Sequence, residues 1–144
     1  MPIAFFVEEP LVFKPTKIRH TKKCLHQLLE HYKYQAGNIN YIFGTDDFLL
    51  EINRNFLQHD YYTDIITFDQ RTDAKNKCID ADLYLSIDRI RDNAKQLQQT
   101  FAIELYRVMA HGLLHLVGFS DKTTTQQQQM RQAEDAAIRY FLEK

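Results

Sequence analysis

The stretch His111-Gly112-Leu113-Leu114-His115-Leu116-Val117-Gly118-Phe119-Ser120-Asp121 decides how this chain is read. Residues four apart on an α-helix share a face, about 6 Å apart along the axis, so the His111 and His115 imidazoles can reach one ion. Gly118 lies three residues beyond His115 and can end the helix and turn the backbone. Such a turn carries Asp121 back toward the pair. Two imidazoles and a carboxylate with an open fourth position form a ligand set for catalytic zinc, which makes a water nucleophilic near neutral pH. A histidine pair on an apolar helix can also be a hydrogen-bonded core feature. Here Leu105, Val108, Met109, Leu113, Leu114, Leu116 and Val117 surround it, and burying an unliganded pair among them is costly.

The residue after the first histidine is Gly112, where zinc peptidases of the His-Glu-x-x-His type carry their general base. Glycine transfers no proton, so that mechanism is closed to this chain. Activation must rest on the metal and another group.

Working outward, 144 residues suit one domain, read as 1–144, with a sizeable core. No apolar run approaches a membrane span and no basic-then-apolar leader opens the chain. Cys24 and Cys78 have no metal spacing and are too few for a disulfide framework, which points to a reducing cytoplasm. The net charge of −1 exerts no global pull on nucleic acid, so any such contact needs a local patch.

Ile3 to Glu8 and Leu11 to Phe13 read as short edge strands around Pro10, followed by a helix from about Thr16 to Tyr34. Lys14, Lys17, Arg19, Lys22 and Lys23 lead into that helix and line its polar face, with no acidic residue among them. They form either a solvated face or a phosphate-contacting patch. Ile39 to Phe43 reads as a strand, and Thr45 or Asp46 caps a helix from Asp46 to about Phe56. Asp64 to Phe68 and Ile79 to Ile87 read as strands, the second alternating with Ile79, Ala81, Leu83 and Leu85 on one side. Helices are expected over Ile87 to Gln99, Ala102 to Val117 and Thr124 to Leu142, with Gln126 to Gln129 as a solvated first turn. The expected fold is α+β: a small mixed sheet of about four strands with helices, and a zincin-like metal helix at its centre.

Three blocks resemble one family. His111-Gly-x-Leu-His115-Leu-x-Gly118-Phe119 is similar to the signature of the YbeY family of bacterial metal-dependent endoribonucleases. Ile52-Asn53-Arg54 through Asp60, then Thr63-Asp64-Ile65-Ile66-Thr67-Phe68, is similar to a second family block. Ala81-Asp82-Leu83-Tyr84-Leu85-Ser86 matches a third, in the family's order and spacing. The family's third histidine falls on Asp121, its arginine on Leu57, its proline on Tyr62 and a glycine on Ala81. A match slid by one would place Lys122 in the site, and a protonated lysine cannot bind a cation.

The resemblance implies a single-strand-specific metallo-endoribonuclease that matures ribosomal RNA at the 3′ end of the 16S species and takes part in ribosome quality control. Its partners would be single-stranded ribosomal RNA and the small ribosomal subunit, with no membrane. The expected ion is one zinc per chain on His111, His115 and Asp121, nickel also suiting histidine. Arg54, one helical turn before Leu57, is the candidate catalytic group for the phosphate. Asp64 and Asp82 either orient a ligand imidazole or serve as strand-end hydrogen-bonding residues. The basic stretch would hold an RNA backbone without reading sequence. Two other classes stand beside this reading: a zincin-type metalloendopeptidase, and a ribosome-associated binding protein whose ion is only structural.

Overall fold

Residues 3–143 are described by the computed structural model. In chain order they form β1 (Ile3–Val7), α1 (Ile18–His31), β2 (Gln35–Gly44), α2 (Asp46–Ile52), β3 (Ile65–Asp69), β4 (Cys78–Ser86), α3 (Ile87–Gln96), α4 (Phe101–Leu116) and α5 (Thr124–Leu142). A π-helical segment, Asn53–Leu57, continues α2.

The sheet runs in the order β1-β2-β4-β3, with β1, β2 and β4 parallel and β3 antiparallel to β4. The alternation in β4 is what seats the core: Ile79, Ala81, Leu83 and Leu85 are each fully buried. They meet Leu25 and Leu29 of α1, Ile90 of α3, Leu113 and Leu114 of α4 and Ala137 of α5 on one face. The opposite face is covered by α2, where Leu49 and Ile52 pack with Ile66 beside Phe48, Phe68 and Tyr84. This is the expected α+β fold, with α4 central to the helical layer.

α4 lies unusually close to the sheet at Gly112. A Cβ there would stand 2.4 Å from Leu83 Cδ2 and 2.9 Å from Ile65 Cδ1, so only a bare backbone fits. Tyr41, fully buried on β2, donates its hydroxyl to the Met109 carbonyl at 3.0 Å and ties helix to strand.

Side-chain caps set most helix starts. Thr45, Ser86, Thr100 and Thr123 each accept a backbone N–H of the first turn. Gln126 is more than a solvated residue of a polar tract, since it closes a capping box with Thr123. Two expected elements differ in kind. Leu11 to Phe13 forms no strand: Pro10 and Pro15 flank it, each lacking a ladder donor, and Phe13 packs instead edge-on against Phe43 and Phe101. The helix expected to run to Phe56 stops being α-helical after Ile52 and widens, ending where Gln58 adopts a left-handed φ of 56°.

Candidate metal centre

The last two turns of α4 carry His111 and His115, and the way this helix ends fixes the second ring. After Leu116 the N–H of Phe119 bonds the Leu114 carbonyl at 2.9 Å and the N–H of Gly118 bonds that of His115 at 3.1 Å. This crossed pair is a Schellman motif, and it requires the left-handed backbone that Gly118 adopts at φ 111°. The turn leaves the Phe119 carbonyl 3.1 Å from His115 Nδ1. A carbonyl only accepts, so His115 carries its hydrogen on Nδ1 and presents a lone pair at Nε2.

His111 is oriented from α5. Glu134, 2% exposed, faces its Nδ1 at 2.5 Å through Oε2. Burial works to raise the Glu134 carboxyl, but the hydrogen bond from His111 and the Arg107 charge outweigh it and hold it below the usual carboxylate range. An ionised Glu134 accepts the Nδ1 hydrogen, and Nε2 of His111 is again a lone pair. Arg107 joins Glu134 at 3.0 Å and also pairs with the fully buried Glu104, so a chain of charges braces the ring from behind.

The two Nε2 atoms are 3.0 Å apart. Asp121 Oδ2 lies 3.5 Å from the His115 nitrogen and 3.7 Å from that of His111. Atoms about 2.0–2.2 Å from a tetrahedral ion stand about 3.3–3.6 Å from one another; the sides here, 3.0, 3.5 and 3.7 Å, bracket that range. Two lone pairs and a carboxylate oxygen facing one point repel unless a cation lies between them. The residues present therefore fit a divalent ion.

A cavity of about 570 Å³ opens in front of the triad, bounded by the β3 edge and by the loop after the π-helical segment. Leu57, His59, Tyr61 and Asp64 are among the residues that line it. Asp64 is a half-buried carboxylate beside the triad: desolvation raises it above the usual range, against the opposing charges of Arg107 and His111.

The structure redistributes the other expected site residues. Neither Asp64 nor Asp82 orients an imidazole, because both Nδ1 atoms are already taken by Glu134 and Phe119. Asp82 sits on the far side of β4, between Asn40 at 3.0 Å and Gln70 at 3.4 Å, as the two-residue period of a strand requires when Leu83 packs under α4. Arg54 does not line the cavity; its guanidinium turns to Asp60 at 2.5 Å in solvent. Lys14 and Lys17 border a different cavity with Arg91 and Phe101, near the start of α4. The nine-residue step from Ala102 to His111 puts that end about 14 Å away along the helix. Arg19 and Lys23 are exposed on α1, and Lys22 lies over the Phe5 ring at 5.3 Å. None of the five basic residues joins the triad.

Glu134 is the functional residue that sequence reasoning missed. Its signal was a carboxylate on the apolar stripe of α5, between Ala133 and Ala137, where a buried charge demands a partner.

Three donors with one side open to a polar cavity is the arrangement of hydrolytic metal sites, whereas structural zinc sites are closed. The sequence relationships then narrow the class. A profile described as Endoribonuclease YbeY matches residues 11–141. An Endoribonuclease YbeY of Cytophaga hutchinsonii is 46% identical over 134 residues, covering 93% of this chain and 92% of the relative. Another, from Phocaeicola vulgatus, is 43% identical over 122 residues, covering 85% and 86%. The solution structure of a Thermotoga maritima protein shares the fold at a TM-score of 0.68 and 24% identity, over 96% of this chain and 88% of that one. The chain belongs to the endoribonuclease YbeY family, which places it among the nucleases, hydrolases of phosphodiester bonds.

Proposed function

We propose that this protein is a zinc-dependent endoribonuclease of single-stranded RNA, acting in the cytoplasm on the 3′ end of 16S ribosomal RNA within the small subunit and contributing to ribosome quality control. The observation that carries the metal-dependent part is the meeting of His111 Nε2, His115 Nε2 and an Asp121 oxygen on one point at the floor of an open cavity. Family membership supports the RNA part.

His111, His115 and Asp121 would hold the ion, with Glu134 and the Phe119 carbonyl keeping both rings turned toward it. A divalent ion bound there supplies Lewis acidity toward a phosphoryl oxygen and lowers the pKa of water. Asp64 lines the same cavity, and its carboxyl is placed to move a proton at the scissile phosphate. Gly112 weakens the peptidase alternative further than the sequence does: a glutamate at 112 would have to occupy the volume of Leu83 and Ile65. The open side of the triad disfavours a purely structural ion.

The test is metal analysis joined to cleavage. Freshly purified protein should carry about one zinc per chain and Asp121→Ala protein markedly less. The zinc-loaded protein should cut single-stranded RNA ending in the 16S 3′ sequence, and His115→Ala protein should not. Equal cutting by the two proteins removes the proposal.

A further inference from the structure

Beside the triad the cavity wall changes character, and two rings there have no partner in the core. Tyr61 is 56% exposed, and its ring stacks on that of His59 at 5.2 Å and 18°. The Tyr61 hydroxyl lies 3.0 Å from His59 Nδ1, which keeps the two rings together. Both line the cavity that holds His111, His115 and Asp121. Other exposed aromatics nearby are already engaged away from it: Phe56 sits edge-on to Phe68, and Tyr62 reaches Asp47 and lies under Arg89.

The pair stands on a loop that is held in place. Asn53 is 2% exposed, and its side-chain amide donates to the Tyr61 carbonyl at 2.9 Å. Its own carbonyl accepts the His59 N–H at 3.0 Å. One buried asparagine thus pins both ends of the His59–Tyr61 segment to the end of α2, so little ordering remains to be done when a ligand arrives.

The wall also lacks cationic side chains of lysine or arginine. Among the described residues lining this cavity there is no lysine or arginine, and Leu57 adds an apolar side chain to it. Away from the triad, and from Arg107 and Arg131 in the pocket on its other side, this wall offers no cationic side chain to a phosphate, so what it adds to binding must come from another source. Planar rings beside a site for a phosphodiester offer stacking to an unpaired base, which every base can use and which a duplex, with its bases already stacked, cannot.

We infer that His59 and Tyr61 form a base-stacking platform that seats one unpaired nucleobase of the RNA next to the scissile phosphate. This rests on the nuclease reading above. It assigns single-strand preference to a ring pair in this chain, and it makes binding at the cavity only weakly dependent on salt, because few counterions are released.

The experiment uses zinc-loaded full-length protein and single-stranded oligoribonucleotides with 2-aminopurine or an abasic unit at successive positions, read at low temperature before cleavage. Fluorescence should be quenched at one position by the wild type and by Tyr61→Phe, and not by Tyr61→Ala. Tyr61→Ala should weaken the Kd for the intact oligonucleotide about tenfold. An abasic unit at the quenched position should bring wild type and Tyr61→Ala to the same Kd. Thermal melting of Tyr61→Ala checks that the protein is folded, and Tyr61→Trp should restore binding. Retained quenching in Tyr61→Ala, or equal wild-type affinity for intact and abasic RNA, overturns the platform while leaving the nuclease reading in place. Wild-type protein that neither binds nor cuts single-stranded RNA overturns both.

Discussion

Glu134 accepts the Nδ1 hydrogen of His111 at 2.5 Å, although the two residues lie on different helices and 23 positions apart. That contact makes α5 part of the candidate metal site without giving it one of the three converging donors. Replacing Glu134 with Gln keeps an acceptor and removes the charge that fixes the ring. Zinc affinity, measured by competition with a chromophoric chelator, should fall about 10- to 100-fold. Unchanged affinity would mean that the ring is held by α4 alone.

Gly112→Ala should destabilise the fold by about 1–3 kcal/mol. The added carbon meets Leu83 and Ile65, both packed between α4 and the sheet, so it has nowhere to go but against them. Urea titration should show a lower midpoint with the same slope, the sign of lost stability rather than a changed unfolded state.

Tyr106→Phe should leave stability unchanged or raise it by about 1 kcal/mol. The Tyr106 hydroxyl is buried with no hydrogen-bond partner among the described residues, while its ring stacks on Phe141 at 4.5 Å. Removing the oxygen keeps the stack and ends the desolvation cost. A clearly lower melting temperature would show that the hydroxyl has a partner after all.

Acid should loosen the turn between β3 and β4 that touches the end of α4. Asp69 is held below its ordinary 3.8, first by its hydrogen bond from Arg71 and against the opposing effect of burial. A carboxyl lowered in the folded state adds stability that is present above the unfolded value and is lost as pH falls through the folded one. The same Arg71 donates to the Leu116 carbonyl at 2.8 Å, at the negative end of the α4 dipole. The stability gap between wild type and Asp69→Asn, followed by urea midpoints, should hold at neutral pH and close below 3.8. A gap that persists in strong acid would count against the pair.

Elements whose periodicity is local were legible in the sequence. β4 was readable because four alternate apolar residues can only be one buried face, and α5 because its stripe and its polar start are both plain. The extent of β2 was not, since Gln35 to Asn38 is polar and contains Gly37, and it is strand only through pairing that begins at Cys78. The convergence of His111, His115 and Asp121 was legible because helix geometry and one glycine bring them together. Support from other elements was not: Glu134 reaches His111 only through the packing of α5 on α4, and Asp82 turns away because strand parity, invisible until Leu83 was placed, sends it to the far face. Arg54 was read from helical spacing, and the widened turn after Ile52 cancels that spacing.

The stop of α4 has one further consequence. The hydrogen bonds that terminate the helix also dictate which nitrogen of His115 is bare, and they consist entirely of backbone atoms set by Gly118. The His115 corner of the receptacle is therefore prefabricated: folding alone turns that ring, and the cation need not do so. Chelated protein should keep its far-ultraviolet dichroism, and reloading should be fast and first-order in added zinc.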